Sequence, residues 1–481
     1  MTVRRTFAPR IDFSALRHEL ELPDVFSAPA QQEAEAAARK TFEDRPDRTE
    51  LEFVTLDPPT SKDLDQALLI QRRDDGFRVY YAIADVAAFV EPGGALEHDT
   101  WQRGQTVYLP DGKVPLHPPV LSEGAASLLP DQVRPAVLWT IDVDGEGNTV
   151  GADVRRARVR SRAKLDYESV QRDADAGRLH PSIALLPEIG KLLVARGLER
   201  GAVNLPMPEQ EIEPDGDGWR LTLRAPVGVE EYNAQISLLT GMSAARIMLD
   251  GGVGLLRTMP PAPPQTVEAL RLAAKALDVP WPDDATPGQM IATLDPAQPR
   301  AAALLDQAAE MMRGAGYTPF DGGPPEQPLH AAVAAPYAHV TAPLRRLADR
   351  YVTEVCLALH AGAAVPSWAR EALPKLPEVM TRTDRVAGAA ERGAVDLVEA
   401  TLLQGRVGET FEAAVLDVDR AKHRADIAID EPPVRARCEG DALPLGERIA
   451  VRLTEADPVK RKVTFHEASS GDGSPGGTTE A

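Results

Sequence analysis

Hydrophobic and polar positions follow different periods in different parts of the chain. Between about residues 49 and 165, short apolar runs separated by Gly, Pro and Asp predict strands, with a hairpin at Asp74-Asp75-Gly76. The segment 105–120 is expected to continue the same sheet. From about residue 166, longer stretches with apolar positions three or four apart predict helices, including one over about 230–249. After residue 405, short alternating strands with Gly turns are typical of a small five-stranded barrel such as an OB-fold.

These patterns divide the chain into four segments and predict an α+β fold. With 481 residues, the chain is too long for one hydrophobic core. We expect a helical, helix-turn-helix-like segment over 1–48, a mixed sheet packed by helices over 49–400, and a β-barrel over 405–467. The Gly/Ser/Thr-rich tail, 468–481, is expected to be disordered.

Composition places the chain among ordinary globular proteins, with 43% hydrophobic and 26% charged residues. No apolar run approaches the length of a membrane span, and no signal peptide is recognisable. The two cysteines, Cys356 and Cys438, lack metal-ligand spacing and predict buried thiols in a reducing, cytoplasmic setting.

Charge is unevenly distributed along the chain. The formal net charge of -20 would by itself argue against a nucleic-acid partner. Binding depends on where positive charge lies, however, and basic residues are dense in 154–164, 343–350 and 457–462. Each run is equally compatible with a solvated surface, so charge alone leaves a nucleic-acid partner open.

Three carboxylates occur within nine residues after a predicted strand: Asp57, Asp63 and Asp65. At about 4 Å, two like charges repel by roughly 1 kcal/mol in water and about 4 kcal/mol at an effective dielectric near 20. A compact loop that keeps these acids ionised therefore favours a bound cation. Oxygen ligands without Cys or His indicate Mg²⁺ or Mn²⁺. From the residues alone, a solvated turn with the acids splayed apart is the alternative.

Five ordered blocks resemble the RNB-domain exoribonucleases, the RNase II and RNase R family. They cover roughly residues 50–400 and read TLDPPTSKDLDQAL, YYAIADVAAFV, RGQTVYLPDGKVPLHPPVLS, SRAKLDYESV and YAHVTAPLRRLADRYV. The C-terminal barrel is similar to the RNA-binding OB domain of the same family. The resemblance implies an RNB catalytic domain with an RNA channel, followed by that barrel.

The resemblance also implies a function. It predicts a processive, Mg²⁺-dependent (or Mn²⁺-dependent) 3′→5′ exonuclease that acts on the 3′ ends of single-stranded RNA and releases nucleoside 5′-monophosphates. Asp57, Asp63 and Asp65 match the family's metal-site acids, with Asp63 and Asp65 also catalytic. Arg345 matches the arginine at the scissile phosphate, where a planar fork suits bidentate contact. No membrane and no obligate protein partner is expected.

Further residues are expected to contact RNA. Tyr108 matches the family tyrosine that stacks on the 3′-terminal base. Thr341-Ala342-Pro343 predicts a helix start, with Arg345 and Arg346 directly after it, so that Arg346 and the helix terminus hold a neighbouring phosphate. Tyr337 and His339 lie beside the arginines and are candidates for RNA contact, with a core role as the alternative.

The chain departs from the family pattern at several positions. Gln66 replaces the fourth acid, Gln235 lies near the start of the long helix, where the family usually has an acidic residue, and Trp219 is only a weak counterpart of the second base-clamping aromatic. N-terminal helices stand where the family has cold-shock barrels. These departures keep two other hypotheses open: an RNA-binding protein on an inactive RNB scaffold, and a hydrolase of small phosphodiesters, which the C-terminal barrel disfavours.

Overall fold

The computed structural model describes residues 11–441 and 443–468, and begins with two short helices, α1 (Ser14–Glu19) and α2 (Ala28–Ala37). Ser27 caps α2, its hydroxyl accepting a hydrogen bond from the Ala30 amide at 3.3 Å. The tail predicted to be disordered lies, from residue 469 onwards, outside the described residues. Within the described residues, no helix has the length and apolarity that a membrane span requires.

Seven strands and one helix follow, in the region where the sequence predicted strands. They are β1 (Phe53–Leu56), β2 (Gln66–Arg73), β3 (Gly76–Ala84), α3 (Ala95–Arg103), β4 (Val107–Leu109), β5 (Gly112–Val114), β6 (Val133–Val143) and β7 (Thr149–Leu165). The order β1-β2-β3-β6-β7 closes into a barrel in which β1 pairs with β7 in parallel and the other pairs are antiparallel. β4 and β5 form a separate hairpin, so they do not continue the main sheet as the sequence suggested.

Strand β3 of this barrel is buried on both faces over most of its length. On β3, Tyr81 and Ile83 belong to one hydrophobic cluster, whereas Ala82 and Ala84 belong to another. Successive side chains of a strand point to opposite faces, so a strand covered on both sides needs apolar residues at every position. This explains the continuous apolar run that the sequence shows here.

Mostly helical structure covers the rest of the larger domain. Its elements are α4 (Tyr167–Asp175), α5 (Leu186–Arg200), β8 (Glu209–Asp215), β9 (Gly218–Arg224), α6 (Gly228–Gly251), β10 (Val253–Thr258), α7 (Pro264–Ala276), α8 (Pro287–Ile291), α9 (Pro299–Ala308), β11 (Gly316–Asp321), β12 (Leu329–His330), β13 (Ala335–Pro336), α10 (Leu347–His360), α11 (Ser367–Ala372) and α12 (Leu376–Leu403). On α6, a Cβ at Gly241 would lie 2.2 Å from the Tyr337 ring, so only glycine permits this packing.

The C-terminal strands close into a second barrel. They are β14 (Thr410–Asp419), β15 (Arg424–Ile429), β16 (Val434–Glu439), β17 (Arg448–Asp457) and β18 (Lys462–Glu467), in the order β14-β15-β16-β18-β17. Phe411 and Phe465 pack edge to face in its core, with ring centroids 5.6 Å apart. The predicted α+β class and five-stranded barrel are confirmed, while the exact domain boundaries stay predictions.

Glu399 of α12 connects the larger domain to the C-terminal barrel. Its Oε1 accepts hydrogen bonds from the Gln210 side chain at 2.7 Å and from the Arg435 amide at 3.0 Å. The carboxyl is buried, and burial raises its pKa from 4.5 to about 7, against the opposing effect of the Gln210 hydrogen bond.

Glu399 is therefore expected to make the protein less stable as pH rises. Because the folded state holds this proton more tightly than the unfolded chain, its contribution falls between pH 4.5 and about 7. The loss is at most about 3 kcal/mol in the free energy of unfolding. Glu399→Gln keeps an acceptor without the charge, so urea unfolding at pH 5 and pH 8 should show a smaller drop for the variant. Equal drops in both proteins would contradict this assignment.

Candidate active site

The loop between β1 and β2, residues 57–65, is called the acid loop here. The Asp57 amide donates to the Leu165 carbonyl at 3.1 Å, and the Ala84 amide donates to the Asp65 carbonyl at 2.9 Å. The loop is therefore fixed at the end of the barrel where β1 and β7 finish and β2 begins. A rigid sheet edge thus positions the predicted acids.

Asp65 is almost fully buried and has a defined environment. Its Oδ1 accepts a hydrogen bond from the Leu344 amide at 2.7 Å, and its Oδ2 lies 3.7 Å from the Arg345 Nε. Burial raises the pKa of Asp65 well above its usual value, against the opposing charge of Arg345. A desolvated carboxylate of this kind gains from a further cation.

Asp57 is the second desolvated acid of the loop. Its Oδ2 is buried without a hydrogen-bond partner. Burial raises its pKa to about 7, with Lys164 opposing and Asp63 reinforcing the shift. The Lys164 ammonium itself donates to the carbonyls of Pro59 and Ser61, each at 2.6 Å, and so holds the path of the acid loop. Asp57 is left with one buried oxygen that has no hydrogen-bond partner.

Asp63 has protein partners for both of its oxygens. The Lys113 ammonium donates to Oδ1 at 2.7 Å, and the Tyr108 hydroxyl donates to Oδ2 at 3.1 Å. Tyr108 and Lys113 are paired across the β4–β5 hairpin, so both side chains leave the same face of it. Tyr108 is nevertheless 51% exposed, so its ring stays accessible.

The segment 341–346 lies against the acid loop but is not helical. α10 begins at Leu347, so the prediction of a helix start at 341–343 is wrong. Two backbone amides of this segment donate to carboxylates: Ala342 to Asp349 at 2.7 Å and Leu344 to Asp65. The Arg345 carbonyl accepts from the Thr106 amide at 3.0 Å, which brings Arg345 close to the Tyr108 hairpin.

Arg346 is the N-cap residue of α10 and is held by Asp349. Its guanidinium donates to the Asp349 carboxylate at 2.8 and 3.0 Å, and both side chains are largely buried. The charge of Asp349 helps to raise the pKa of Arg346 above its usual value although burial opposes it. The guanidinium of Arg346 is thus already bound to Asp349. Its contact with a neighbouring phosphate stays a prediction.

Tyr337 and His339 belong to an aromatic cluster behind the arginines. The Tyr317 hydroxyl and the His339 Nδ1 are 2.7 Å apart, and the Tyr337 and His339 rings meet edge to face at 5.6 Å. Burial, reinforced by the charge of Arg346, lowers the pKa of His339 well below its usual value and favours a neutral ring. The positive charge of Arg346 is close enough to this cluster to act on the His339 ring, and RNA contact by the cluster's members stays a prediction.

Two departures from the family pattern have structural explanations. The Gln66 side-chain amide donates to the Thr341 carbonyl at 2.6 Å, a contact that an ionised Asp would turn into repulsion between two acceptors. Trp219 is buried and packs edge to face on Phe13, with centroids 5.6 Å apart. Trp219 therefore belongs to the core.

The donor set fits a hard divalent cation only in part. In the part of the chain that the structure describes, no group of three or more His, Cys, Asp or Glu side chains is placed to hold one metal ion. The three acids are thus near neighbours without forming one ligand set. Asp57, with its unpartnered oxygen, and desolvated Asp65 are the acids that fit such an ion. Metal binding by the acid loop stays a prediction.

The sequence patterns did not single out Lys113, Lys164 or Asp349. A signal for Lys113 was present, because Pro110-Asp111-Gly112 predicts a tight hairpin that places Lys113 opposite Tyr108. Asp349 stands three residues after Arg346, the spacing of ion pairs within a helical turn. Lys164 belongs to the basic run 154–164, but its contact with the acid loop depends on the pairing of β1 with β7, which no local pattern predicts.

Sequence comparison places the chain in a known family. The RNB domain profile matches residues 45–360, and the profile of the RNase II-type exonuclease C-terminal S1 domain matches residues 409–468. The chain belongs to the RNB-domain family, and the predicted resemblance to RNase II and RNase R is confirmed.

Individual relatives agree with this assignment. Ribonuclease R of Aquifex aeolicus is 25% identical over 438 residues, which cover 85% of this chain and 60% of the relative. The human exosome complex exonuclease RRP44 is 29% identical over 340 residues, 67% of this chain and 35% of the relative. The chain therefore spans about a third to three fifths of these two relatives.

A solved structure shares the fold. Mycoplasma genitalium RNase R in complex with ribose-methylated single-stranded RNA superposes with a TM-score of 0.82 at 21% identity. The superposition covers 95% of this chain and 77% of the other. Both the larger domain and the C-terminal barrel thus follow an architecture seen in that protein.

Proposed function

We propose that the protein is a divalent-metal-dependent 3′→5′ exoribonuclease that degrades single-stranded RNA processively to nucleoside 5′-monophosphates. One observation carries this proposal: buried Asp65, the Arg345 guanidinium 3.7 Å from it and exposed Tyr108 lie together at one end of the barrel. Membership of the RNB-domain family and similarity to proteins named Ribonuclease R support it.

The side chains of the site suit the parts of this reaction. The Arg345 side chain is 45% exposed, so its planar guanidinium can contact a phosphate. Its backbone position is fixed by the Leu344–Asp65 hydrogen bond and by the hydrogen bond from the Thr106 amide to the Arg345 carbonyl. Asp57 and Asp65 are the residues that would hold Mg²⁺ or Mn²⁺. When bound, such an ion supplies a Lewis acid that activates water and offsets charge on the phosphate.

A comparison of linear and circular RNA of the same sequence tests the exonuclease assignment. Because an exonuclease needs a chain end, the linear molecule should disappear while the circle stays intact. A linear RNA that ends in a 3′-phosphate distinguishes 3′→5′ from 5′→3′ degradation. If it is degraded more slowly than the same RNA with a free 3′-hydroxyl, the enzyme attacks the 3′ terminus. Cleavage of the circle would overturn the proposal.

Tyr108 is proposed to stack on the 3′-terminal base. Stacking contributes about 1–3 kcal/mol per base, so Tyr108→Ala should weaken binding of a short single-stranded RNA by roughly 5- to 150-fold. Tyr108→Phe keeps the ring and loses only the hydrogen bond to Asp63, so its affinity should stay close to that of the wild type. Fluorescence anisotropy measures both. Equal losses in the two variants would show that the hydroxyl, rather than the ring, matters.

The second candidate is an RNA-binding protein on an inactive RNB scaffold. The amide at Gln66 favours it, because that position cannot supply a fourth carboxylate. Binding in that case would survive EDTA, and no product would form with any divalent ion. The first candidate requires that product forms with a divalent ion and that EDTA prevents its formation.

A further inference from the structure

The turn of the β4–β5 hairpin is held by the N-terminal helix. The Arg17 guanidinium of α1 donates one hydrogen bond to each carboxylate oxygen of Asp111, at 2.6 and 2.8 Å. A bidentate contact of this kind fixes the direction of the carboxylate as well as its distance. These hydrogen bonds raise the pKa of Arg17 above its usual value although burial opposes them. The pair therefore ties the hairpin turn to α1.

A hairpin of this size depends on its surroundings for a fixed position. β4 and β5 contain three residues each and form a separate two-stranded sheet. An isolated two-stranded hairpin is at best marginally stable in water. Leu109 and Val114 of the hairpin belong to the same hydrophobic cluster as Phe13 and Leu16. The segment 13–17 thus contributes both apolar packing and an ion pair to the position of the hairpin.

α1 is also tied to the C-terminal barrel. The Arg461 guanidinium, in the turn between β17 and β18, donates to both carboxylate oxygens of Glu19, at 2.6 and 2.8 Å. Each residue turns an α-helix by about 100°, so Arg17 and Glu19, two residues apart, point in nearly opposite directions. α1 therefore lies between the hairpin and the barrel and makes a charged contact with each.

The same hairpin presents Tyr108 at the acid loop. Tyr108 precedes Asp111 by three residues, and its hydroxyl donates to Asp63 at 3.1 Å. One hydrogen bond does not fix the tilt of a half-exposed ring, so the orientation of Tyr108 depends on the strand that carries it. A shift of the hairpin turn would therefore move the ring.

We propose that Arg17 is a positioning residue for Tyr108: by holding Asp111, it keeps the hairpin in the orientation that presents the ring to the 3′-terminal base. This inference rests on the proposed function, which assigns the stacking role to Tyr108. It concerns RNA binding alone, so its test requires neither a metal ion nor cleavage.

A double-mutant cycle on the full chain tests this proposal. Fluorescence anisotropy in EDTA measures binding of a short single-stranded RNA to the wild type, Arg17→Ala, Tyr108→Ala and the double variant. Arg17→Ala should weaken binding by about 3- to 10-fold, a part of the stacking contribution. Because Arg17 acts through the ring, the double variant should bind no more weakly than Tyr108→Ala alone. Asp111→Ala should reproduce the loss seen for Arg17→Ala.

Arg78 provides the matched control. Its guanidinium makes a bidentate contact with Asp142, at 2.7 and 2.9 Å, near the start of β3, whereas the acid loop contacts the end of that strand. Arg78→Ala should leave both the RNA affinity and the effect of Tyr108→Ala as they are in the wild type. Circular dichroism melting verifies that each variant is folded under the conditions of the binding assay.

The outcomes separate this inference from the proposed function. Losses that multiply in the double variant, unchanged binding in a folded Arg17→Ala or Asp111→Ala variant, or the same coupling for Arg78→Ala would overturn the inference even if RNA is degraded. A loss for Arg17→Ala that vanishes once Tyr108 is replaced would support it even if Mg²⁺ produces no cleavage, in which case the proposed function alone fails.

Discussion

Asp65→Asn is expected to lower the rate of RNA cleavage by at least about 100-fold, because it removes the charge that acts on the reacting centre. The amide retains an oxygen that can accept the Leu344 hydrogen bond, so the local fold should persist. Affinity for single-stranded RNA should change little, since phosphate contacts supply most of it. Single-turnover cleavage and anisotropy binding on the same RNA measure the two effects.

A surface variant provides the matched control for Asp65→Asn. Asp321 is exposed and pairs with Arg370, far along the chain from the acid loop, so Asp321→Asn should leave cleavage unchanged. If Asp65→Asn weakens cleavage and RNA binding by the same factor, Asp65 is part of the binding surface and its proposed catalytic role is wrong.

Arg345→Ala is expected to give the other large loss. A guanidinium that stabilises charge on the transferring phosphate affects the transition state more than the bound substrate, so kcat should fall by about 10²-fold or more while KM changes less. Steady-state kinetics on a fluorescent RNA separate the two constants. Arg345→Lys should recover only part of the loss, because an ammonium cannot make the bidentate contact.

Arg72 offers a control of equal exposure. The side chains of Arg72 and Arg345 are both 45% exposed, but Arg72, on strand β2, pairs with Glu188 of α5. Arg72→Ala should therefore leave kcat and KM unchanged. A rise in KM alone for Arg345→Ala would make Arg345 a binding residue without a role in the chemical step.

Most of the site could be predicted from short segments of sequence. The acid loop follows a strand and precedes another, so Asp57 and Asp65 were found together, and the Arg345 block was recognised as a unit. The sequence patterns missed residues that contact the acid loop only because strands distant in sequence pair with one another. Lys164 reaches the loop through parallel strands, which no local spacing reveals.

Local propensity also misjudged segments that tertiary contacts control. Pro343 favours a helix start, yet the carboxylates of Asp65 and Asp349 bind the amides of this segment, so α10 begins only at Leu347. The β4–β5 hairpin looks like part of the main sheet in sequence. In the structure it is separate and holds Asp63.

The central claim is metal-dependent degradation from the 3′ end, and one gel tests it most directly. Purified protein is incubated with 5′-labelled single-stranded RNA in Mg²⁺ or in EDTA, and the products are separated at nucleotide resolution. We predict that Mg²⁺ converts the RNA to a short labelled end product that keeps the original 5′ end, and that EDTA preserves the RNA. Intact RNA under both conditions, with a shift in a binding gel, would contradict this account and favour the inactive scaffold.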